Sequence, residues 1–264
     1  MQARHLFCGG QTATALCACG ALGLSTRYVG VFGTDENGRL MRQTLEDRGI
    51  DVKHAIESDG PNRDAVILVD PDGRRTVIWH RPDHLDFPSN RLRPEALNAR
   101  VMHIDDDDPR LALAAARLAS TLGITVTTDL EHVTDTTEEL VATVTYPIFE
   151  QHAPGKLTGE SDPERGLRKL RRLTPNLLCV TLGDQGAVAL EGDRFHVAPA
   201  FKVNVVDNTG AGDVFRAAFI YGFLQRWSVP EQLRFANAAA AVSCTRLGAI
   251  PSVPALDEAQ SLLS

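Results

Sequence analysis

The chain has 264 residues, 34 acidic against 27 basic side chains, a net charge of −7, and is 43% hydrophobic and 23% charged. That length buries a full core without disulfides or a structural metal, and the ordinary composition excludes disordered, collagen-like and coiled-coil organisation. With no local basic patch, such an acidic chain has no field to draw nucleic acid or an anionic membrane. Phosphates would be met by backbone amides and a few placed cations.

Apolar periodicity alternates between strand-like and helix-like segments almost to the end. A short strand around Ala3 to Phe7 runs into Gly9-Gly10, and a small-residue helix follows to about Leu22. The uncharged run from Leu6 to Thr26, with Leu16-Cys17-Ala18-Cys19, has the outline of a lipoprotein signal. Gly9, Gly10, Gln11, Thr12 and Thr14 make it a poor apolar core, so a buried helix packed on a sheet is the better reading. Cys8, Cys17, Cys19, Cys179 and Cys244 show no zinc-like pairing, which suits a reducing cytoplasm. Thr26 to Phe32 reads as a buried strand, and Asp35 caps a helix that Gly49 closes. From Ala65 to His80, two alternating runs joined by Asp70-Pro71-Asp72-Gly73 read as a hairpin.

The alternation then resumes: strands at 101–104 and 124–128, helices at 111–122 and 138–141, a strand at 144–149, a helix at 163–173 and a strand at 178–182. A second hairpin surrounds Glu191-Gly192-Asp193. Val203 to Val206 is a strand feeding a glycine-rich turn and a long helix, and an alanine-rich helix runs from about Glu231 to Cys244. The pattern implies one α/β domain over 1–264, a mostly parallel sheet covered on both faces, with lid elements at about 2–8 and 62–81. Ligands of such sheets bind at the carboxyl ends of the strands.

The sharpest signal is Val206-Asp207-Asn208-Thr209-Gly210-Ala211-Gly212-Asp213 before an apolar helix. A strand ends, glycines turn the backbone tightly, and a helix begins. Its first amides, from Ala211, Gly212 and Asp213, then point outward at the positive end of the helix dipole, which suits an anion. A structural Asp at that spot would accept its own helix amides. A chemical Asp would take a hydroxyl proton while the amides stabilise a transferred phosphoryl group.

This segment closely resembles the D-T-x-G-A-G-D signature of the PfkB carbohydrate kinases, the ribokinase-like family. Gly9-Gly10-Gln11 before an alanine-rich helix resembles the family's N-terminal G-G-N motif, and Gly30 to Gly38 its next turn. Thr181-Leu182-Gly183-Asp184-Gln185-Gly186-Ala187 resembles the nucleotide-side T-x-G-x-x-G segment. Asn237 to Ala241, then Gly248-Ala249 and Pro251, resemble the helix and loop beside the adenine. The motifs span Gly9 to Pro251 in the right order, and Phe235-Ala236-Asn237 with Cys244-Thr245 look most like the ketohexokinase and sugar-kinase branch.

The resemblance implies a ribokinase-like three-layer α/β sandwich with a small β lid, phosphorylating a small sugar hydroxyl from ATP. It makes Asp213 the general base and the amides of Gly210, Ala211 and Gly212 the anion hole. Gly9, Gly10 and Gln11 would meet the sugar, with Asp105 facing it. Thr181, Gly183, Gly186 and Asn237 would line the nucleotide site. Asp207 and the loop around Ala249 match positions that hold a monovalent cation such as K+ in many relatives, while Mg2+ would arrive with ATP. Lids in relatives also pair across a homodimer.

Three departures stand out. The family's G-G-N reads Gln11 here. The N-x-x-E motif that helps orient magnesium is not intact, and Glu150, in Tyr146 to Ala153, takes its place as candidate or is a helix-start residue. Relatives carry a strand, a lid segment and a sugar-binding Asp before the G-G motif, whereas Met1 lies only eight residues before Gly9, so a sheet lacking that central strand is expected. Of the run Asp105 to Asp108, four adjacent side chains cannot converge on one ion, and a solvated loop is expected. Asp129 and Glu131 either face the same cleft or serve a turn. Arg74, Arg75, His80 and Arg81 either close on an anionic group or protect an edge strand. Lys169, Arg171 and Arg172 read as a solvated helix face. The rival functions are a non-catalytic nucleotide-binding remnant, in which Gln11 and Asp213 would not share a cavity, and a nucleoside kinase with an aromatic lid pocket from Trp79 and Phe87.

Overall fold

The computed structural model describes residues 5–69 and 75–263. It opens with α1 (Gln11–Ala21), β1 (Val31–Gly33), α2 (Glu36–Asp47) and β2 (Ile56–Ser58). Asp35 caps α2 as expected, its carboxylate accepting the Gly38 amide at 2.9 Å. The hairpin follows as β3 (Asp64–Val69) against β4 (Arg75–His80), antiparallel, while its turn at 70–73 lies outside the described residues. Short 3-10 turns lead to β5 (Val101–Asp105), α3 (Pro109–Thr121), β6 (Thr125–Asp129), α4 (Thr137–Thr143) and β7 (Ile148–Glu150). The remainder is α5 (Ala153–Thr158), α6 (Pro163–Leu170), β8 (Leu178–Thr181), β9 (Ala187–Glu191), β10 (Arg194–Ala198), α7 (Ala211–Leu224), α8 (Val229–Ser243) and α9 (Leu256–Ser261).

β5 pairs β6 and β7 pairs β8, all parallel; bridges Thr127–Tyr146 and Leu130–Phe149 join the two pairs into one surface, which β9 and β10 extend antiparallel. Alternation sorts the side chains of this sheet into two layers. Cys179, Ala187 and Ala189 pack with α1, α7 and α8, whereas Leu178, Val180, Val188 and Leu190 pack with α3, α4 and α6. Helices therefore cover both faces, the three-layer arrangement expected. β1 and β2 pair parallel to each other alone. The outer edges of β1 and β5 have no ladder partner among the described residues, and both line one cleft.

Several boundaries differ from the sequence reading. Between Thr26 and Phe32 the ladder holds only from Val31, because Arg27 makes a single bridge to Asp51. Val203–Val206 joins no strand: Val205 and Val206 are exposed, and the amides of Val206 and Asp207 turn to the Cys244 carbonyl. The expected lid element at about 2–8 is not a strand over its described part. His5–Cys8 forms no strand, and the Phe7 ring sits against Gly248; residues 1–4 lie outside the described residues. The solvated-face reading fails for Arg171, whose guanidinium donates to the carbonyls of Thr174, Asn176, Leu190 and Gly192. No helix among the described residues is long and apolar enough to cross a membrane.

Candidate active site

The glycine turn before α7 is built where three segments meet. Gly210 has φ +82°, and a Cβ there would sit 2.9 Å from the Ala249 Cβ and 3.2 Å from the Thr14 methyl. Only glycine fits both the backbone and the space. The turn is braced by Asp207, which accepts the amide and hydroxyl of Thr209 at 2.9 and 2.6 Å and, through its other oxygen, the Gly248 amide at 2.9 Å. The Ala211 amide bonds the Asn208 carbonyl at 3.2 Å. The amides of Gly212 and Asp213 have no acceptor within their own helix and are available to an anion, whereas the Ala211 amide is engaged.

Asp213 occupies the third position of α7. Burial pushes its pKa well above the carboxylate range, the Asp129 charge adds to this, and Arg216 opposes it. Arg216 and Asp129, whose charges act on that carboxylate, form an ion pair, 2% and 1% exposed. Burial likewise raises Asp129, to about 7, against the pull of Arg216. His103, beside Arg216, is pushed down to about 3 by burial, so it stays neutral.

On the opposite wall, Asp105 ends β5 and accepts the Thr12 hydroxyl of α1 at 2.6 Å. Burial raises its pKa and the Thr12 hydrogen bond counters this. The other acids of the run diverge, as four neighbours must. Asp106 is buried and takes the amides of Glu131 and His132; Asp107 pairs with Arg63 at 2.7 Å; Asp108 caps α3 through the Leu111 amide. Of the lid charges, Arg81 pairs with Asp86 and His80 with Asp64, while Arg74 lies outside the described residues.

The third group lies at the ends of β7 and β8. Gly183 and Gly186, both at positive φ, turn the chain after Thr181, and a Cβ on Gly186 would run into the Ala198 carbonyl. Asn237 lines the same cleft and also braces its wall. Its amide nitrogen donates to the carbonyls of Ala198 and Pro199 at 2.8 and 3.2 Å, pinning the chain after β10. Glu150 accepts the His152 amide at 2.8 Å just beyond β7, the loop role its position also allowed.

Gly9, Gly10, Gln11, Asp105, Glu150, Thr181, Gly183, Gly186, Asp207 and Gly210–Asp213 all line one cleft of about 3990 Å³. That exceeds a typical small-molecule pocket, consistent with a groove for two substrates and the open sheet edges combined. Gln11 and Asp213 share it, which the remnant reading does not accommodate. Trp79 is 76% exposed and Phe87 is buried, so the two form no aromatic clamp. The sequence reading missed Thr12 and Arg216; an arginine amid Val214, Phe215, Ala217 and Ala218 was the available signal.

Comparison with known proteins agrees with this geometry. A model described as pfkB family carbohydrate kinase matches residues 1–256. Fructokinase-1 of Zea mays is 31% identical over 283 residues, covering 97% of this chain and 88% of its own. An ATP-dependent ribose-1-phosphate kinase of Halopiger xanaduensis is 30% identical over 286 residues, covering 97% and 86%. Among solved structures, the ribokinase of Thermotoga maritima superposes with a TM-score of 0.84 at 26% identity, over 97% of this chain and 87% of that one. A chain matched from end to end in this way, with its turns assembled around one cleft, belongs to the pfkB family of carbohydrate kinases, phosphotransferases that take a hydroxyl group as acceptor.

Proposed function

We propose that Asp213 takes the proton of a sugar hydroxyl as that hydroxyl attacks the terminal phosphoryl group of ATP. The amides of Gly212 and Asp213 stabilise the charge that develops on the transferred group. The observation that carries this is the single cleft that Gln11, Asp105 and Asp213 line together with Thr181, Gly183 and Gly186. Gly9, Gly10, Gln11 and Asp105 meet the sugar. Thr181, Gly183 and Gly186 meet the nucleotide, with Asn237 shaping the wall behind them.

Among the described residues no group of three or more His, Cys, Asp or Glu side chains is placed to hold a metal ion. That fits Mg2+, which keeps water and nucleotide phosphates as ligands and asks for one or two carboxylates at most. Glu150 is that carboxylate, on the cleft wall at the end of β7. Magnesium bound with ATP neutralises phosphate charge; the steps of proton transfer and anion binding belong to the protein groups above. Asp207, clasping the two loops, and the chain around Ala249 offer the place for K+, tested by exchanging K+ for a bulky cation.

The relatives point to a small ketose or a pentose derivative as acceptor. The lid strands leave Val66, Leu68, Ile78 and Trp79 exposed. This supports closure over substrate to exclude water and pairing of two lids in a homodimer, measurable by sedimentation. The described cysteines are all free thiols, in keeping with a cytoplasmic protein.

The test is ADP release from ATP and magnesium across ketoses, aldoses, ribose 1-phosphate and nucleosides. Sugar-dependent turnover that vanishes in Asp213→Asn supports the assignment. Turnover retained by that variant removes Asp213 from the chemistry.

A further inference from the structure

The geometry points to Arg216 and Asp129 as a buried charge pair that tunes and orients the Asp213 carboxylate, which makes both positioning residues for phosphoryl transfer. The inference rests on the general-base reading of Asp213. Arg216 follows Asp213 by three residues on α7, so the two share a helix face. Its guanidinium lies against the first turn itself: a Cβ on Gly212 would stand 2.7 Å from the Arg216 Nη1. The cation thus sits directly behind the amides that receive the anion. Asp129 holds it there from the end of β6, the position paired with Asp105 of β5.

Packing alone does not call for this pair. Its neighbours Phe215, Ala217, Ala218 and Phe219 are all buried and apolar, and an apolar side chain would fill the site without desolvating two charges. The surrounding groups show what the charge does. Asp129 and Glu131 face Asp213 from the end of β6 and Asp105 from β5, all acidic, while Arg216 faces it as the cation. His103 of β5 and Cys179 of β8, also beside Arg216, are neutral: burial pushes His103 down to about 3 and Cys179 up to about 12. Against burial and three acids, the guanidinium is the group that pulls the Asp213 pKa back down, toward a carboxylate able to accept a proton. Asp129 limits that pull and fixes the direction from which it acts, so that Asp213 remains basic enough to be useful.

The experiment compares the pH dependence of kcat/KM in the wild type, Asp129→Asn, Asp129→Asn/Arg216→Met and Arg216→Lys, each checked for folding by circular dichroism. Removing the Asp129 charge frees the guanidinium, so the acidic limb moves down by about one to three pH units. Adding Arg216→Met to that background moves the limb back up. Arg216→Lys keeps the charge and loses the fork, so the limb stays near wild type while kcat falls and the sugar KM holds within about twofold. Acidic limbs that coincide in all folded variants, or an upward shift in Asp129→Asn, overturn the proposal. Carbon-13 carboxyl NMR of Asp213, identified by its loss in Asp213→Asn, gives the same readout without turnover. Opposite shifts in an inactive protein uphold the charge pair and sink the kinase assignment, whereas an unmoved resonance in an active one does the reverse. If the double variant does not fold, Asp129→Asn against wild type decides the sign.

Discussion

The two walls of the cleft are built to different standards. On the α7 side, Val214, Ala217, Ala218 and Phe219 are fully buried, α7 packs along α8, and β8 and β9 sort their side chains cleanly between two cores. On the lid side, β3 and β4 expose apolar side chains from Val66 to Trp79, β1 and β2 are three residues each, and among the described residues both pairs are two-stranded with unpaired outer edges. The difference separates two jobs. Phosphoryl transfer needs groups held to a fraction of an ångström, which only dense packing supplies. Substrate admission needs surfaces free to move, and an element with few buried contacts opens at little cost.

The largest expected effect breaks the rigid side at its chemical centre. Asp213→Asn lowers turnover by about 10²- to 10⁴-fold, the usual range for a lost general base. The same variant is expected to be more stable than wild type. A buried carboxyl with a raised pKa stabilises the fold while protonated, and that contribution is present below the ordinary carboxylate pKa and lost as pH rises through the raised value. The variant is neutral throughout, so its gain in Tm is greatest at pH 8 and shrinks toward pH 4; a lower Tm at pH 8 contradicts the raised pKa.

Next in size, Phe219→Ala empties a fully buried aromatic site and costs about 3–5 kcal/mol, a loss in Tm on the order of 10 °C. Trp79→Ala, its counterpart on the lid, stays within about 0.5 kcal/mol of wild type in denaturant unfolding. Equal losses for these two would erase the contrast between the walls. Gly210→Ala is intermediate, about 1–3 kcal/mol, because it combines positive φ with crowding by Ala249, and it lowers kcat by displacing the first turn of α7. Thr12→Val is the smallest and the most local. It removes the hydrogen bond to Asp105, so the sugar KM rises severalfold while the ATP KM and Tm are nearly unchanged. A change in the ATP KM instead would move Asp105 away from the sugar.

Legibility follows the same division. The Gly210–Asp213 turn was readable because its chemistry is local in the chain: a glycine turn and a helix start within eight residues. The lid strands were readable for the same reason. Thr12 with Asp105, and Arg216 with Asp129, were not, since each pair joins segments far apart in sequence that meet only when β5, β6 and α7 pack together. The bracing by Asn237 was not readable either, since the carbonyls of Ala198 and Pro199 that its amide nitrogen meets lie some forty residues away in the chain. Val203–Val206 misled because apolar residues announce a strand without naming a neighbour to pair with.

The sequence by itself determined the α/β alternation, the glycine turns and the family, because periodicity, positive-φ positions and helix starts are properties of short stretches. The tertiary structure decided which amides of the α7 turn are engaged, where each acid of the 105–108 run points, and that a guanidinium stands against the first turn of α7. Those depend on distances between segments remote in the chain, and burial sets the charge state of Asp213 only after the segments have met.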